Sequence, residues 1–378
     1  MKFHRRQAIA ASLLIALAPA ARAETGVSAD QVLVGQFAAF SGAAGQLGER
    51  MKLGMETYFG AVNAAGGVNG RKIKLVSRDD GYEPEKAKAA VKQLIEEDKV
   101  FALAGSVGTP TGLAAMPIFT EAKVPIVGMF TGAQALREPL NRYIFHVRAS
   151  YFDETERIVQ HLTTLGIRKI AVFYQDDAYG KAGLEGVNRA LTKRNLKAVA
   201  LGTVERNSVD VTKSLAAILA AQPEAIVQIS AYKSCAAFIK QARAKGWAGQ
   251  FFNVSFVGST ALANELGDAG AGVVISQVVP FPYTANTQVV REYLDRMKQA
   301  GHNDPDFSSL EGYLTAKVFA EGLRRAGKNP TREGLISALE GMKNWDSGGF
   351  IVSYSPQNHS GSSYTDLSII GKGGKFTH

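Results

Sequence analysis

Between Leu103 and Phe119 the sequence reads LAGSVGTPTGLAAMPIF, an apolar run that breaks into glycines and hydroxyls before a helical apolar pattern begins. Three chemistries use a corner of this kind. A phosphate loop needs G-x4-G-K-[ST], because a lysine meets the phosphate charge. This loop has no lysine, and glycines at 105, 108 and 112 do not make G-x-G-x-x-G. A nucleophile elbow needs G-x-S-x-G, and Ala104 stands where the glycine before Ser106 belongs. The third chemistry is non-covalent. Backbone N–H groups at a helix start, joined by the hydroxyls of Ser106, Thr109 and Thr111, hold a carboxylate without a full positive charge. The competing account makes Thr109 a plain N-cap ahead of Pro110.

Elsewhere the reactive residue types are scattered. The histidines beyond the N-terminal segment (146, 161, 302, 359, 378) are dispersed, and none falls in an obvious partner loop for a nucleophile. Cys235 is the single cysteine, so no internal disulfide can form; it reads as a small buried residue rather than a reactive thiolate. Asp79-Asp80 and Asp176-Asp177 follow strands and read as helix caps or solvated acids. Spacing of the HExxH or CxxC kind is absent, so neither a metal nor another cofactor is expected. Aromatic residues recur in the turns after strands: Phe130, Tyr151, Tyr179, Tyr232 and Phe256. They could wall a pocket, or serve as core.

The elements that position these turns alternate along the chain. QVLVGQF reads as a strand, and helical spacing follows through Leu47, Met51, Met55, Tyr58 and Val62 until Gly66-Gly67. IKLVSRDD is a strand, Glu83–Asp98 a helix with Pro84 in its first turn, VFALAG a strand, Thr111–Ala122 a helix and PIVGMF a strand. The pattern restarts after YIFHVRAS, with helices at Asp153–Leu165, Gly180–Arg194, Val211–Ala221 and Tyr232–Lys245 between strands KIAVFYQ, AVALGTV, PEAIVQIS and FFNVSF. VVISQVVP, helices near Thr287–Ala300, Ser309–Ala326 and Thr331–Gly341, then FIVSYS and YTDLSIIG complete the chain. Such alternation predicts an α/β fold of parallel sheets covered on both faces, in two doubly wound sheets with a break near Arg148–Tyr151. Ligands of such sheets sit beyond the carboxyl ends of the strands, where the small, hydroxyl and aromatic turns lie.

Residues 1–23, MKFHRRQAIAASLLIALAPAARA, have a basic start, a short apolar run and an Ala-Arg-Ala end. They read as a secretory signal peptide, and Arg5-Arg6 hints at the twin-arginine route. The segment carries four basic residues and no acid, so its removal lowers the formal charge from +9 to +5. The remaining charge is dispersed, which argues against a nucleic-acid partner. No other apolar run approaches the ~20 residues of a membrane helix, and no cysteine follows the cleavage site to carry a lipid anchor. The 355 residues that remain suffice for two domains.

Taken in order, SGAAGQLG, NAAGGVNGRKIKLVSRDD, GSVGTPT, FTGAQALREP, RIVQHLTTLGIRKIAVFYQDDAYG, FIKQARAKG and EGYLTAKVFAEGLRRAG resemble the leucine/isoleucine/valine-binding branch of the periplasmic solute-binding proteins of ABC importers, over essentially all of Val32–Gly371. The resemblance implies the type I periplasmic binding fold: two Rossmann-like lobes, a three-crossing hinge near Arg148–Tyr151, Val278–Pro282 and Ile351–Ser355, and a ligand between the lobes. Residues 24–149 with 280–352 then form lobe one, and 150–279 with 353–378 lobe two. It implies that Thr109 meets the ligand carboxylate, that the backbone at Phe130 and Gly132, with Thr131 between, lines the site, and that Tyr179 is a pocket tyrosine. Ala231 takes the place of an aromatic contact, with Tyr232 beside it. Two departures bear on the ligand. Ser255 stands where the amino-acid binders carry a glutamate for the ligand ammonium, and Leu47 where a tyrosine covers the ligand. The ligand then lacks an α-amino group or another acid takes over, Asp153 being the candidate. The paired cysteines of some relatives are replaced by Tyr82 and Gly108. The expected product is a monomeric, non-enzymatic periplasmic protein that delivers a small carboxylate-bearing solute, amino-acid-like or an organic or aromatic acid, to a membrane permease. The alternative is a ligand-sensing protein partnering a membrane receptor.

Overall fold

The computed structural model describes residues 24–378; residues 1–23, read from the sequence as a signal peptide, lie outside the described residues. The first half of the chain builds β1 (Gln31–Ala38), α1 (Gly45–Ala64), β2 (Lys72–Asp79), α2 (Pro84–Glu96), β3 (Ala102–Ala104), α3 (Thr109–Glu121), β4 (Ile126–Val127) and β5 (Ile144–Phe145). These five strands form one all-parallel sheet in the order β2-β1-β3-β4-β5. The chain continues through α4 (Tyr151–Thr164), β6 (Ile170–Gln175), α5 (Ala178–Thr192), β7 (Leu201–Val204), α6 (Thr212–Ala220), β8 (Ala225–Ile229), α7 (Tyr232–Ala244), β9 (Gln250–Asn253), α8 (Ser259–Leu266) and β10 (Val274–Gln277). Three helices follow, α9 (Gln288–Gln299), α10 (Phe307–Ala326) and α11 (Arg332–Glu340), then a small β11 (Trp345–Asp346) and β12 (Ile351–Val352) ribbon. The tail supplies β13 (Asp366–Ile370) and β14 (Phe376–Thr377).

The second sheet runs β14-β13-β10-β9-β8-β6-β7. Strands β6 to β10 are parallel, whereas β13 and β14 join its edge antiparallel. Its parallel part, β7-β6-β8-β9-β10, repeats the order of the first sheet. Both are therefore doubly wound, with a switch point beside the first strand, between β1 and β3 in one and β6 and β8 in the other. The central strands are buried along their length, β8 entirely so, as a sheet covered on both faces requires.

One face of the first sheet packs on α1, α9, α10 and α11, the other on α2 and α3. α1 and α10 meet through glycines. A Cβ on Gly54 would stand 1.8 Å from the Ser309 carbonyl oxygen, and one on Gly312 would stand 2.1 Å from that of Met51. The apolar core of the second sheet extends across to Leu47, Met51, Tyr82 and Phe130 beside the first sheet, so the two lobes stand closed on each other.

The chain passes between the sheets three times: from β5 to α4, from β10 to α9, and from β12 to β13. Arg137 ties the first and third passages. It donates to the carbonyls of Arg148 (3.1 Å) and Ala149 (3.3 Å) and to Ser360 Oγ (2.9 Å). Two local expectations are corrected. α3 begins at Thr109 rather than Thr111, and its N-cap is Gly108 with no side-chain cap. The segment after β9, read as a turn, carries the helix α8.

Candidate functional site

The loop after β3 is shaped by its glycines. Gly108 has φ +110°, and a Cβ there would lie 2.5 Å from the Tyr82 ring and 2.6 Å from Thr111 Oγ1. Only glycine fits both demands. The loop then zips to the one after β4: Phe130 N donates to Ser106 O at 2.7 Å, and Gly108 N to Phe130 O at 3.3 Å. Thr109 Oγ1 and Thr131 Oγ1 share a hydrogen bond of 2.6 Å. Thr111 is spent on its own loop, donating to Val107 O at 2.6 Å. Ser106 Oγ is buried and has no partner.

Opposite this loop the second lobe presents Tyr151 at the first turn of α4, Tyr179 on α5, and Phe256 in the turn after β9. Phe256 is fully buried, with ring centres 4.4 Å from Tyr179, 5.5 Å from Phe130 and 5.8 Å from Tyr82. Tyr151 and Tyr179 stand 5.4 Å apart. Tyr82 holds φ +62°, a left-handed conformation that costs a non-glycine residue about 1–2 kcal/mol. Its amide is held by Asp80 Oδ1 (2.8 Å), and its hydroxyl accepts a bond from Gln175 Nε2 of the second lobe (3.2 Å). Burial pushes the Tyr151 hydroxyl up to about 12 and those of Tyr82 and Tyr179 well above the ordinary phenol range, so all three are neutral hydrogen-bonding groups.

Arg148, on the first passage, is the centre of the polar part. Its guanidinium lies 4.9 Å from the Phe130 ring centre and 5.9 Å from that of Tyr151. Nη2 donates to Glu154 Oε1 (3.0 Å) and to Ser255 Oγ, and Nη1 stands 3.5 Å from Glu311 Oε1. Burial pulls the guanidinium down, but Glu311 and Glu154 outweigh it and keep the group charged. Glu154 also accepts bonds from Ser255 N (2.7 Å), Ser255 Oγ (3.0 Å) and Ser276 Oγ. Glu311 makes no comparable set of bonds, and burial raises its carboxyl to about 7.

Four side chains in this cleft retain polar atoms without a hydrogen-bond partner: Ser106 Oγ, Arg148 Nε, Tyr151 OH and Tyr179 OH, whereas Arg148 Nη1 is ion-paired with Glu311. Each can donate a hydrogen bond. A buried donor left unpaired costs about 1–3 kcal/mol, and four such side chains can each be satisfied by an acceptor oxygen of a ligand.

The structure therefore brings Ser106, Thr109, Phe130, Thr131, Tyr151, Tyr179 and Ser255 to one cleft. Asp153 is not among them. Its carboxylate accepts from Ser150 N (2.9 Å) and Ser150 Oγ (2.6 Å) in a capping box of α4, and it lines a separate polar cavity of about 650 Å³ on the hinge side. Tyr232 lies at the mouth, beside Phe40 and Gln46. Leu47 walls a flanking cavity of about 590 Å³ between the lobes. Cys235 is buried and burial pushes its thiol up, so it carries no thiolate.

Sequence reasoning missed Arg148, Glu154, Glu311 and the part played by Tyr82. Helical phase held a signal for one of them. Tyr151, Glu154, Thr155 and Ile158 form the buried stripe of α4, and a carboxylate on such a stripe demands a buried partner. Among the described residues no cluster of three or more His, Cys, Asp or Glu side chains could hold a metal ion, and no helix is long and apolar enough to cross a membrane.

A family model described as periplasmic binding protein matches residues 31–375. A possible leucine/isoleucine/valine-binding protein from Rhodopirellula baltica superposes with a TM-score of 0.88 at 34% identity, over 92% of this chain and 96% of that one. An amino acid binding protein of Pseudomonas aeruginosa is 24% identical over 332 residues, 84% of this chain and 87% of its own length. An ABC transporter solute binding protein from R. palustris, solved in complex with benzoate, shares the fold with a TM-score of 0.81 at 21% identity, over 92% of this chain and 95% of its own.

Proposed function

Because the chain belongs to the periplasmic binding protein family, whose members bind solutes and do not turn them over, we propose that it captures a small carboxylate-bearing solute between its lobes and hands it to the membrane permease of an ABC importer. The observation that carries this reading is the set of donors without hydrogen-bond partners in the closed cleft: Ser106 Oγ, Arg148 Nε, Tyr151 OH and Tyr179 OH. A carboxylate brings about four lone-pair sites on two oxygens, and charge-assisted bonds to it are the strong ones. Thr109, Thr131 and the backbone at Phe130 form the first-lobe side of the site, and Ser255 the second-lobe side. Tyr232 guards the mouth.

In this reading lobe one comprises residues 24–149 and 280–352, and lobe two residues 150–279 and 353–378. Residues 1–23 are an export leader, and the mature protein works as a periplasmic monomer. Closure about the hinge turns a bound ligand into a shape that the permease can read.

A thermal-shift screen across amino, aliphatic and aromatic acids tests the proposal, because a ligand that binds only the folded state raises Tm by mass action. At least one small carboxylate stabilises the protein, and titration calorimetry then shows one site with no turnover. No stabilisation by any of these acids removes the proposal.

A further inference from the structure

We infer that the cleft selects an aromatic carboxylate that carries no ammonium group; this rests on reading the cleft as a carboxylate site. The first half of the inference comes from Glu154. Its two oxygens accept four bonds, from Arg148 Nη2, Ser255 N, Ser255 Oγ and Ser276 Oγ. That fills the lone-pair sites of a carboxylate. Glu154 comes from α4 yet fills the space in front of Ser255, and with its oxygens saturated it has no lone pair left for a ligand ammonium.

The neighbouring acids do not replace it. Asp153 is held by Ser150 in the capping box. Glu311 reaches Arg148 Nη1 at 3.5 Å. An ammonium set against it would stand beside the guanidinium, like charge against like. Asp80 belongs to the turn after β2, where its Oδ1 holds the Tyr82 amide; its Oδ2 has no partner, but burial raises the carboxyl to about 7. An ammonium drawn into the cleft is therefore left without a full anionic partner, whereas the unpartnered donors welcome oxygens.

The second half comes from the rings. Tyr82 and Phe130 from one lobe, and Tyr151, Tyr179 and Phe256 from the other, meet with centre separations of 4.4–5.8 Å. Aromatic pairs at such distances gain about 0.5–1.5 kcal/mol beyond their buried area. Opening of the lobes breaks the Tyr82–Phe256 and Phe130–Phe256 pairs, and a flat ring held between them restores aromatic contacts on closure where a branched aliphatic chain does not. With Arg148 already lying over Phe130, a ring whose carboxylate points at the free Nε and the Tyr151 and Tyr179 hydroxyls suits both halves of the cleft.

The test is calorimetry on the mature protein, freed of co-purified ligand by unfolding and refolding. Benzoate, phenylacetate and phenylpyruvate are titrated alongside phenylalanine, leucine and 4-methyl-2-oxopentanoate. An aromatic acid binds most tightly, and phenylpyruvate binds about 100-fold or more tighter than phenylalanine, the scale set by one uncompensated buried charge. Leucine or phenylalanine binding as tightly as its oxo acid overturns the inference and leaves the carboxylate site standing. So does 4-methyl-2-oxopentanoate outbinding every aromatic acid. Failure of all six to bind, with no other carboxylate stabilising the fold, overturns the inference and the site together.

Discussion

At Arg148 a guanidinium is buried between two glutamates and against two aromatic rings. Removing it leaves Glu154 one donor short and takes from Glu311 its ion-pair partner, which places uncompensated charge in a dry site. Breaking a buried pair from one side costs about 3–5 kcal/mol. Arg148→Met accordingly loses stability on that scale in urea denaturation and binds its ligand at least ~30-fold more weakly, since truncating a buried charge partner costs about 2–5 kcal/mol in binding. Arg148→Lys restores part of the stability and less of the affinity, because a single ammonium cannot serve Glu154, Ser255 and a ligand as a planar fork does. Full recovery of affinity in Arg148→Lys would mean that the fork geometry is irrelevant. Glu311 makes a different prediction. Burial moves its carboxyl from 4.5 up to about 7 in the folded chain. The folded protein then holds a proton that the unfolded chain releases, so stability falls as pH rises from about 4.5 to about 7. Glu311→Gln removes a part of that fall on the order of 2–3 kcal/mol, read as a shallower drop in unfolding free energy between pH 4.5 and pH 8. An unchanged slope would show that Glu311 titrates alike in both states. The loop residues of this candidate site stand out in the sequence because glycines and hydroxyls cluster there at a strand end. Arg148 and the two glutamates are not, because what matters is that 148, 154 and 311 converge, and the fold alone sets that. Asp153 stands out in the sequence ahead of Glu154 for the same reason: adjacent acids differ by about 100° around a helix, and only the helix phase tells the cap from the buried stripe.

Within the elements, α1 contains a controlled comparison. Gly54 and Gly60 lie in the same helix, one against α10 and one with nothing within 4 Å of an added Cβ. Gly60→Ala stabilises by about 0.5–1 kcal/mol, because alanine costs the unfolded chain less entropy to fix and favours helix. Gly54→Ala gains the same propensity, but its Cβ falls 1.8 Å from the Ser309 carbonyl oxygen. The helices must then separate, so the net effect is a loss of about 1–3 kcal/mol, the usual range for overpacking. Thermal unfolding of the two variants gives opposite signs of ΔTm; a stabilised Gly54→Ala would mean that the α1–α10 approach can relax. Most elements are visible in the sequence because buried parallel strands and amphipathic helices have distinct periods. Helices such as α4, α5 and α7 fall within two residues of their expected starts. α8 is hidden because it spans only eight residues between Gly258 (φ +78°) and Gly267 (φ +55°), and its sequence STALANEL follows a run that reads as a turn. β4 shrinks from an expected six residues to two, because only Ile126 and Val127 pair with both neighbours before Gly128 turns away at φ +68°. Nor does any internal repeat show in the sequence, although the two sheets share one strand order. Strand order is kept by packing and chain handedness, which many sequences satisfy.

For the whole molecule the question is how firmly closure is held without ligand. At the rim, Glu83 of lobe one accepts from Arg206 Nη2 (2.9 Å) and Asn207 Nδ2 (2.7 Å) of lobe two. Deeper in, Tyr82 meets Gln175 and Phe256, and Leu47 lies against Gly258. The rim pair is partly solvated, with side-chain exposures of 24% and 40%, so it contributes at most about 1 kcal/mol and is weakened by salt. A closed-to-open ratio changed by that amount shifts about fivefold at most, and apparent affinity scales with the fraction of protein in the competent state. Glu83→Ala therefore raises the apparent Kd by about two- to fivefold at low salt, and the difference from the native chain shrinks as salt rises. Small-angle scattering of the ligand-free variant shows a larger radius of gyration than the native chain, and saturating ligand brings the two together. The contrast with Arg148 is one of magnitude. A rim variant that lost ~100-fold in affinity, or whose loss ignored salt, would mean that closure is governed at the rim and not by the buried charges and rings of the cleft.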